Sequence, residues 1–420
     1  MSRNRRRIIL LGPRHALTPA APETSLHPLS QPRNNPGRTT LLFTAFEPSG
    51  DEHAATVIER LKERHPEIAI YAWGGPKMEA AGARVVERTG DDAVMGLPGL
   101  AKIREHKKIN ARIDQWLEKH PVTLHIPVDS PGANFPICKI AQKHGVRVVH
   151  LVAPQLWAWG AWRVKKLRRL TSLVLCLLPF EEEWFKARDV EARFVGHPLF
   201  DKPLNHERLK TDAADLPGGQ PRIALLPGSR PGEIEKNFPL LLAAFSGIRR
   251  KFSSASAVIA ATTEPVAARL REIAEANGGM PENAEIVVGR TDSALSWCDL
   301  ALVVSGTVTL QVARHNKPMV IVYKSNPFMY ALLGWWLIDT ELFTLPNLIA
   351  GREIVPELVP HFGDEKAIVE AALALLESPE RAEAQRRELR SVVDEFKGLS
   401  AGEAAADEIA RVLGLDPSAD

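Results

Sequence analysis

Twice along this 420-residue chain, short apolar and β-branched runs alternate with helix-patterned segments, and no other feature restricts the fold as strongly. The first series is TLLFTAF (40–46), IAIYAW (68–73), LHIPV (124–128), VRVVHLV (146–152) and SLVLCLL (172–178). The second is RIALL (222–226), AVIAA (257–261), EIVV (285–288), LALVV (300–304) and MVIVY (319–323). A strand that is apolar at every position is buried on both faces, which between helices means a parallel sheet. The expectation is an α/β protein with two Rossmann-like, doubly wound parallel-sheet domains whose strands point their carboxyl ends into a central cleft. Length agrees, because 420 residues exceed one ordinary core and suit two.

The boundaries read as a first domain at 40–200, a linker at 201–221, a second domain at 222–363 and C-terminal helices at 364–420 packing back across the domains. Residues 1–39 open with MSRNRRRIILL, turn Pro-rich and carry no periodic pattern, so they read as a disordered extension. Their apolar piece is too short for a secretion signal. The formal net charge of +2 argues against a nucleic-acid binder, whose surface is strongly basic. Cys138, Cys176 and Cys298 lie far apart, as buried thiols of a reducing compartment do, not as a disulfide or metal framework. No run reaches the ~18 apolar residues of a spanning helix; Phe328 to Ile338 is broken by Asp339, Thr340 and Glu341 and reads as core or interfacial.

Chemistry collects at the turns after strands. The run LALVV opens into Ser305, Gly306 and Thr307 at a helix start, where backbone N–H groups are free to meet an anion. In the same half, LPGSR places Gly228, Ser229 and Arg230 after a strand, with Glu233 just beyond; a guanidinium there can hold a diphosphate bidentately. Tyr323 and Lys324 close the next run, Gln311 follows the SGT turn, and Asn347 and Arg352 sit on a later loop. Neither G-x-x-x-x-G-K-[ST] nor G-x-G-x-x-G occurs, so a P-loop or dinucleotide enzyme is unsupported.

In the first half, FEPSGD sets Glu47 ahead of Asp51 where a strand becomes a helix. Asp51 reads as the cap of that helix and Glu47 as the better site candidate. IPVDSPGANFP puts Asp129 at the end of a buried strand, placed to act as a general base or to brace the loop. His197 reads as shaping the domain junction. Two segments mix apolar and cationic residues: Leu97, Leu100, Ile103, Lys107 and Lys108, and Trp157, Trp159, Trp162 and Arg163. They fit an interfacial membrane surface, and equally a helix packed on a sheet with a solvated charged face. No D-x-D pair and no H-E-x-x-H occurs, and no metal site is expected.

Taken in order, EPSGD, WGGPKMEAAGARVV, VMGLPGL, VDSP, APQLWAW, LPFEEEWF, FVGHP, LLPGSRPGEIEKNFP, SGTVTLQ, PMVIVYK and LPNLIAGREIVPEL resemble the lipid-A-disaccharide synthase family, inverting glycosyltransferases of GT-B architecture. The resemblance runs from about Thr40 to about Val412. It implies transfer of 2,3-diacylglucosamine from its UDP conjugate to the 6-hydroxyl of 2,3-diacylglucosamine 1-phosphate, releasing UDP. It implies Asp129 as the base, Arg230, the SGT turn and Asn347 on the nucleotide side, and no cofactor. It also implies a cytoplasmic enzyme, peripheral on the inner face of the cytoplasmic membrane, with a homodimer possible. The sequence departs from the family at Gln311, where the family has Glu; at Gly99; in the Asp129 loop, which is one residue longer and lacks a second aspartate; and at Pro360. Other readings are a different UDP-sugar enzyme of this fold, such as an epimerase or a peptidoglycan-lipid transferase, or a non-catalytic lipid-binding relative.

Overall fold

Strands buried on both faces need helices above and below them, and the chain supplies both. The computed structural model describes residues 39–89, 100–158, 160–325 and 340–415. The first half runs β1 (Thr40–Thr44), α1 (Pro48–Arg64), β2 (Ala69–Gly74), α2 (Pro76–Ala80), β3 (Arg84–Arg88), α3 (Leu100–Lys119), β4 (Leu124–Pro127) and α4 (Pro131–Lys143). It continues with β5 (Arg147–Leu151), α5 (Val164–Leu170), β6 (Leu173–Cys176), α6 (Pro179–Lys186) and β7 (Ala192–Phe194). These strands form one all-parallel sheet of order β3-β2-β1-β4-β5-β6-β7.

After α7 (His206–Asp212) come β8 (Arg222–Leu226), α8 (Pro231–Arg249), β9 (Ser256–Ala261), α9 (Glu264–Ala276), β10 (Ala284–Val288), α10 (Thr291–Trp297), β11 (Leu300–Val304), α11 (Val308–Arg314) and β12 (Met319–Lys324). Helix α12 (Leu345–Ala350) and strand β13 (Glu357–His361) complete this half. The second sheet, also parallel, is ordered β10-β9-β8-β11-β12-β13. Both orders reverse direction once, between β1 and β4 and between β8 and β11. At such a reversal the flanking turns splay apart and leave a crevice at the carboxyl ends of the strands. This is the doubly wound GT-B architecture expected from the apolar runs.

Three strands escaped those runs, β3, β7 and β13, and each is the edge of its sheet. An edge strand is covered less completely, so it does not need apolar residues throughout. Strand β3 alternates exposed and half-buried positions, while β4, β6, β9 and β11 are buried at every residue.

Leu41, Phe43, Ile70 and Ile126 meet Ile58 and Leu61 of α1 on one face of the first sheet. On the other face, Phe135, Cys138 and Ala141 of α4 pack against Val148 and Val174. The second sheet is sandwiched by α8, α9 and α13 (Lys366–Leu376) on one side and by α10, α11 and α14 (Pro379–Asp394) on the other. All three cysteines are buried free thiols.

The last helix, α15 (Ala401–Leu413), returns to the first sheet and lays Ala405, Ala406 and Ile409 into its core beside α1. Asp201 accepts from the N–H groups of Ala401 (2.8 Å) and Gly402 (3.3 Å), and Arg147 donates to the Val412 carbonyl (2.7 Å). An anion thus sits at the positive end of the helix dipole and a cation at the negative end. Gly402 lets the two helices touch, because a Cβ there would lie 2.5 Å from Thr56 Cγ2. Trp157 and Leu178 of the first half meet Leu310 and Val392 of the second in an apolar cluster that joins the two sheets.

Candidate functional site

The turns after β1 and β4 flank the first switch point, and each carries a carboxylate. Asp129 and Ser130 adopt left-handed backbone at φ of +47° and +39°, which costs a non-glycine residue about 1–3 kcal/mol. Neighbours hold the loop there. The Asp129 N–H donates to the Leu151 carbonyl (2.9 Å), and Asn134 Nδ2 donates to the carbonyls of Val128 and Asp129, each at 2.9 Å. Asn134 is itself fixed from below, since Thr44 Oγ1 donates to its Oδ1 (2.8 Å) and receives the Nε2 proton of buried His125 (2.9 Å). Burial pushes His125 down to about 3, so the ring is neutral. Glu47 accepts from Ser130 Oγ (2.8 Å) and makes no cap bond of its own.

This frame presents the Asp129 carboxyl half-buried, with its pKa pushed up to about 6. Burial is the main cause; the Ser130 N–H opposes it, Glu47 adds to it, and Arg230 opposes it. Arg230 belongs to the other sheet, so the two switch-point crevices face each other across the cleft.

Asp51 caps a different helix from the one expected. Its carboxylate accepts from Gly75 (2.9 Å), Lys77 (2.9 Å) and Met78 (3.1 Å) at the start of α2, while Glu47 occupies the N-cap position of α1.

Across the cleft, Gly228 takes φ +96°, and a Cβ there would approach Glu233 Oε2 to 2.9 Å. Glu233 points at Arg230 and accepts from Nη1 at 3.0 Å, so it helps to aim the guanidinium. Ser229 and Arg230 are exposed at the start of α8. The Ser305, Gly306 and Thr307 turn lies beside them at the second switch point, with open space above Gly306. Tyr323 is half-buried within the influence of Glu233 and Arg230, and Lys324 is exposed at the end of β12. A cavity of about 1200 Å³ opens between α7 and the carboxyl ends of β9 and β10; Gly289, Arg290, Asp292, Gln311 and Arg314 line it.

Three expectations need correction. Asn347 is fully buried with every hydrogen-bonding group used: Nδ2 donates to the Val355 carbonyl (2.9 Å) and Glu357 (2.9 Å), and Oδ1 accepts from Ile354 (2.8 Å) and Val355 (3.0 Å). Nothing remains for a ligand. Asn347→Ala should cost about 3 kcal/mol of stability by orphaning these partners, read as a lower urea midpoint; an unchanged midpoint would show that the loop does not depend on it.

Arg352 donates to Glu388 of α14 at 2.5 Å, so it ties the C-terminal helix down instead of entering the cleft. Trp157 is 7 % exposed and turned inward, donating from Nε1 to Glu181 at 2.9 Å, and is no part of an outer surface. Trp162, by contrast, is 74 % exposed and Ile103 40 %, with Lys107 and Lys108 exposed and Arg163 half-buried. Leu97, Gly99 and Trp159 lie outside the described residues, as does the side chain of Leu100.

Sequence reasoning missed Glu181. It is buried, accepts also from the Leu178 N–H (3.1 Å), and its carboxyl is pushed up to about 7, chiefly by burial and also by the charge of Asp129. Its signal was an acid three residues beyond the end of a strand run, where a side chain reaches back to close the helix start. Among the described residues no group of three or more His, Cys, Asp or Glu side chains is arranged to hold a metal ion, and no helix is long and apolar enough to cross a membrane.

Residues 41–409 match the family model described as lipid-A-disaccharide synthetase. The lipid-A-disaccharide synthase of Azotobacter vinelandii is 36% identical over 347 residues, which is 81% of this chain and 90% of that protein. That of Geobacter sulfurreducens is 30% identical over 382 residues, 89% of this chain and 97% of that one. Among solved structures, MnaA of S. aureus with UDP superposes at a TM-score of 0.60 with 13% identity, covering 90% of this chain and 98% of the other, a likeness of fold. A family match across both sheets, joined to relatives covered almost end to end, makes this chain a glycosyltransferase and a member of the lipid-A-disaccharide synthase family.

Proposed function

We propose that the chain transfers 2,3-diacylglucosamine from its UDP conjugate to the 6-hydroxyl of 2,3-diacylglucosamine 1-phosphate, giving a β-1,6-linked disaccharide and UDP with inversion. The observation that carries this reading is the opposition of Asp129 and Arg230 across the cleft, close enough that the Arg230 charge bears on the Asp129 carboxyl. Inversion needs a base on one face of the anomeric carbon and a stabilised leaving group on the opposite face. Asp129 removes the proton of the attacking hydroxyl as the oxygen reaches the sugar carbon. Arg230, aimed by Glu233, takes the charge that grows on the diphosphate, with Lys324 and the SGT turn beside it. Asn134 and Ser130 hold the Asp129 loop in its strained shape, so alignment is set before substrate arrives. The uridine occupies the cavity between α7 and α10.

The acyl chains imply a lipid surface as neighbour. Exposed Trp162 and Ile103 with Lys107 and Lys108 suit docking on an anionic membrane face, at the cytoplasmic side where a UDP-sugar is found. Trp162→Ala should weaken co-flotation with anionic vesicles; flotation equal to the parent protein's would remove Trp162 from that surface. The direct test of the reaction is UDP release from UDP-2,3-diacylglucosamine with and without the 1-phosphate acceptor, products being identified by mass. Acceptor-dependent UDP and a disaccharide 1-phosphate support the reading. UDP release that ignores the acceptor, or none at all, counts against it.

A further inference from the structure

Two neighbouring strands of the first sheet each bury one polar side chain that an apolar core does not need, Thr44 in β1 and His125 in β4. Asn134 of α4 is buried with them. The register pairs Thr44 with Pro127 and His125 with Leu42, so the two side chains share the face of the sheet that α4 covers. Only one placement of protons satisfies all three. Asn134 Nδ2 donates to the carbonyls of Val128 and Asp129, each at 2.9 Å, which makes Oδ1 the end that meets Thr44. Oδ1 only accepts, so the single Thr44 hydroxyl proton goes to it (2.8 Å) and none is left for His125. His125 Nε2 must then carry the proton of the neutral ring and donate it to Thr44 Oγ1 (2.9 Å), which leaves Nδ1 bare, buried and without a partner among the described residues. A flipped Asn134 amide would set its oxygen against two carbonyl oxygens and leave the Thr44 proton without an acceptor.

We propose that Thr44 and His125 are positioning residues of the transfer reaction, which fix the Asn134 amide and through it the direction of the Asp129 carboxylate. This rests on the reading of Asp129 as the base and deepens it. The donors run one way, from His125 to Thr44 to Asn134, and end on the backbone of the base. The Val128 carbonyl belongs to the peptide plane before the Asp129 Cα and the Asp129 carbonyl to the plane after it, so one amide group holds both planes. The direction of a side chain follows from the two planes that meet at its Cα. Asp129 stands at φ +47°, a conformation that persists only where its surroundings over-determine it, and an Asn134 amide free to turn would release both planes at once. An error of about 1 Å in aim can cost on the order of 10²-fold in rate. Stability alone does not call for this pair, since replacing both partners of a buried bond by apolar groups of the same shape is nearly neutral. An apolar pair could not, however, select which end of the Asn134 amide faces the loop.

The test compares variants of the full chain by the kinetics of acceptor-dependent UDP release and by calorimetric titration with UDP. Thr44→Val combined with His125→Phe replaces both polar groups by apolar ones of similar shape, so the double variant should melt close to the parent. Its kcat should fall by about 10–100-fold, while KM for both substrates and UDP affinity stay within about two-fold. Thr44→Ser keeps the hydroxyl and should retain most of the parent's kcat. A double variant with the parent's kcat, or a Thr44→Ser variant as slow as the double one, overturns the proposal. So does a loss of kcat matched by an equal loss of UDP affinity, which would mark general damage to the fold. Should the double variant not fold, His125→Gln against His125→Phe decides the matter. A glutamine amide can still donate to Thr44 and should keep the higher kcat, and equal kcat for the two overturns the proposal. Absence of acceptor-dependent UDP release by the folded parent would overturn the transfer reading itself, before any variant is compared.

Discussion

Asp129→Asn should lose about 10²–10⁴-fold in turnover, the usual contribution of a positioned base, while UDP affinity changes by no more than about two-fold. The substitution is nearly isosteric, and Asn tolerates the left-handed backbone that this loop requires. In the parent protein kcat/KM should fall as pH drops through about 6, where the Asp129 carboxyl takes up its proton. That limb should be missing from any residual activity of the variant.

Stability should move the opposite way. Folding raises this carboxyl above its ordinary value of 3.8, so between about 4 and 6 the folded state binds more protons than the unfolded one. Its contribution to stability therefore falls as pH rises through that window and stays low above it. The cost at neutral pH is about 2 kcal/mol, allowing for the partial exposure of the loop. Asp129→Asn removes it and should melt higher than the parent at pH 7.5 but not at pH 4. A variant that lost UDP binding, or melted lower at pH 7.5, would make Asp129 a brace for the loop instead of the base.

Arg230→Ala should reduce kcat/KM by about 10²–10³, the range seen when one donor to a developing negative charge is removed. UDP affinity should fall by about 10–100-fold, as for one charge-assisted contact. Lys at this position should recover only part of the loss, because an ammonium cannot grip a diphosphate bidentately and cannot keep the in-plane bond to Glu233. A second readout separates this role from general damage. Arg230 lowers the Asp129 pKa across the cleft, so its removal should shift the acid limb of the pH profile to higher pH. A profile that stayed in place while affinity fell would mean that the two groups are too far apart in solution to share one substrate.

The sequence by itself determined the two parallel sheets and the turns that carry chemistry. A central parallel strand is covered on both faces, so its whole run must be apolar, and the run ends where the chain emerges at the crevice. That is why the position of Asp129, Arg230 and the SGT turn at the carboxyl ends of the strands was legible in the sequence, with Glu47 close by. The edges β3, β7 and β13 were not legible, because partial cover relaxes the composition rule.

Tertiary structure alone decided which polar side chains are spent inside the protein. Asn347 looked available on a loop, yet its amide is consumed by Ile354, Val355 and Glu357. Arg352 was claimed by Glu388 on a helix 36 residues later, and Trp157 turned inward to Glu181 where the two halves meet. Asp292 attracted no notice in the sequence, and only the packing of α10 against α11 put Gln311 and His315 on one of its oxygens. Local pattern reports whether a backbone segment is buried, since burial is repeated along the segment. The partner of a single polar side chain is one contact between distant elements and leaves no period in the sequence to read.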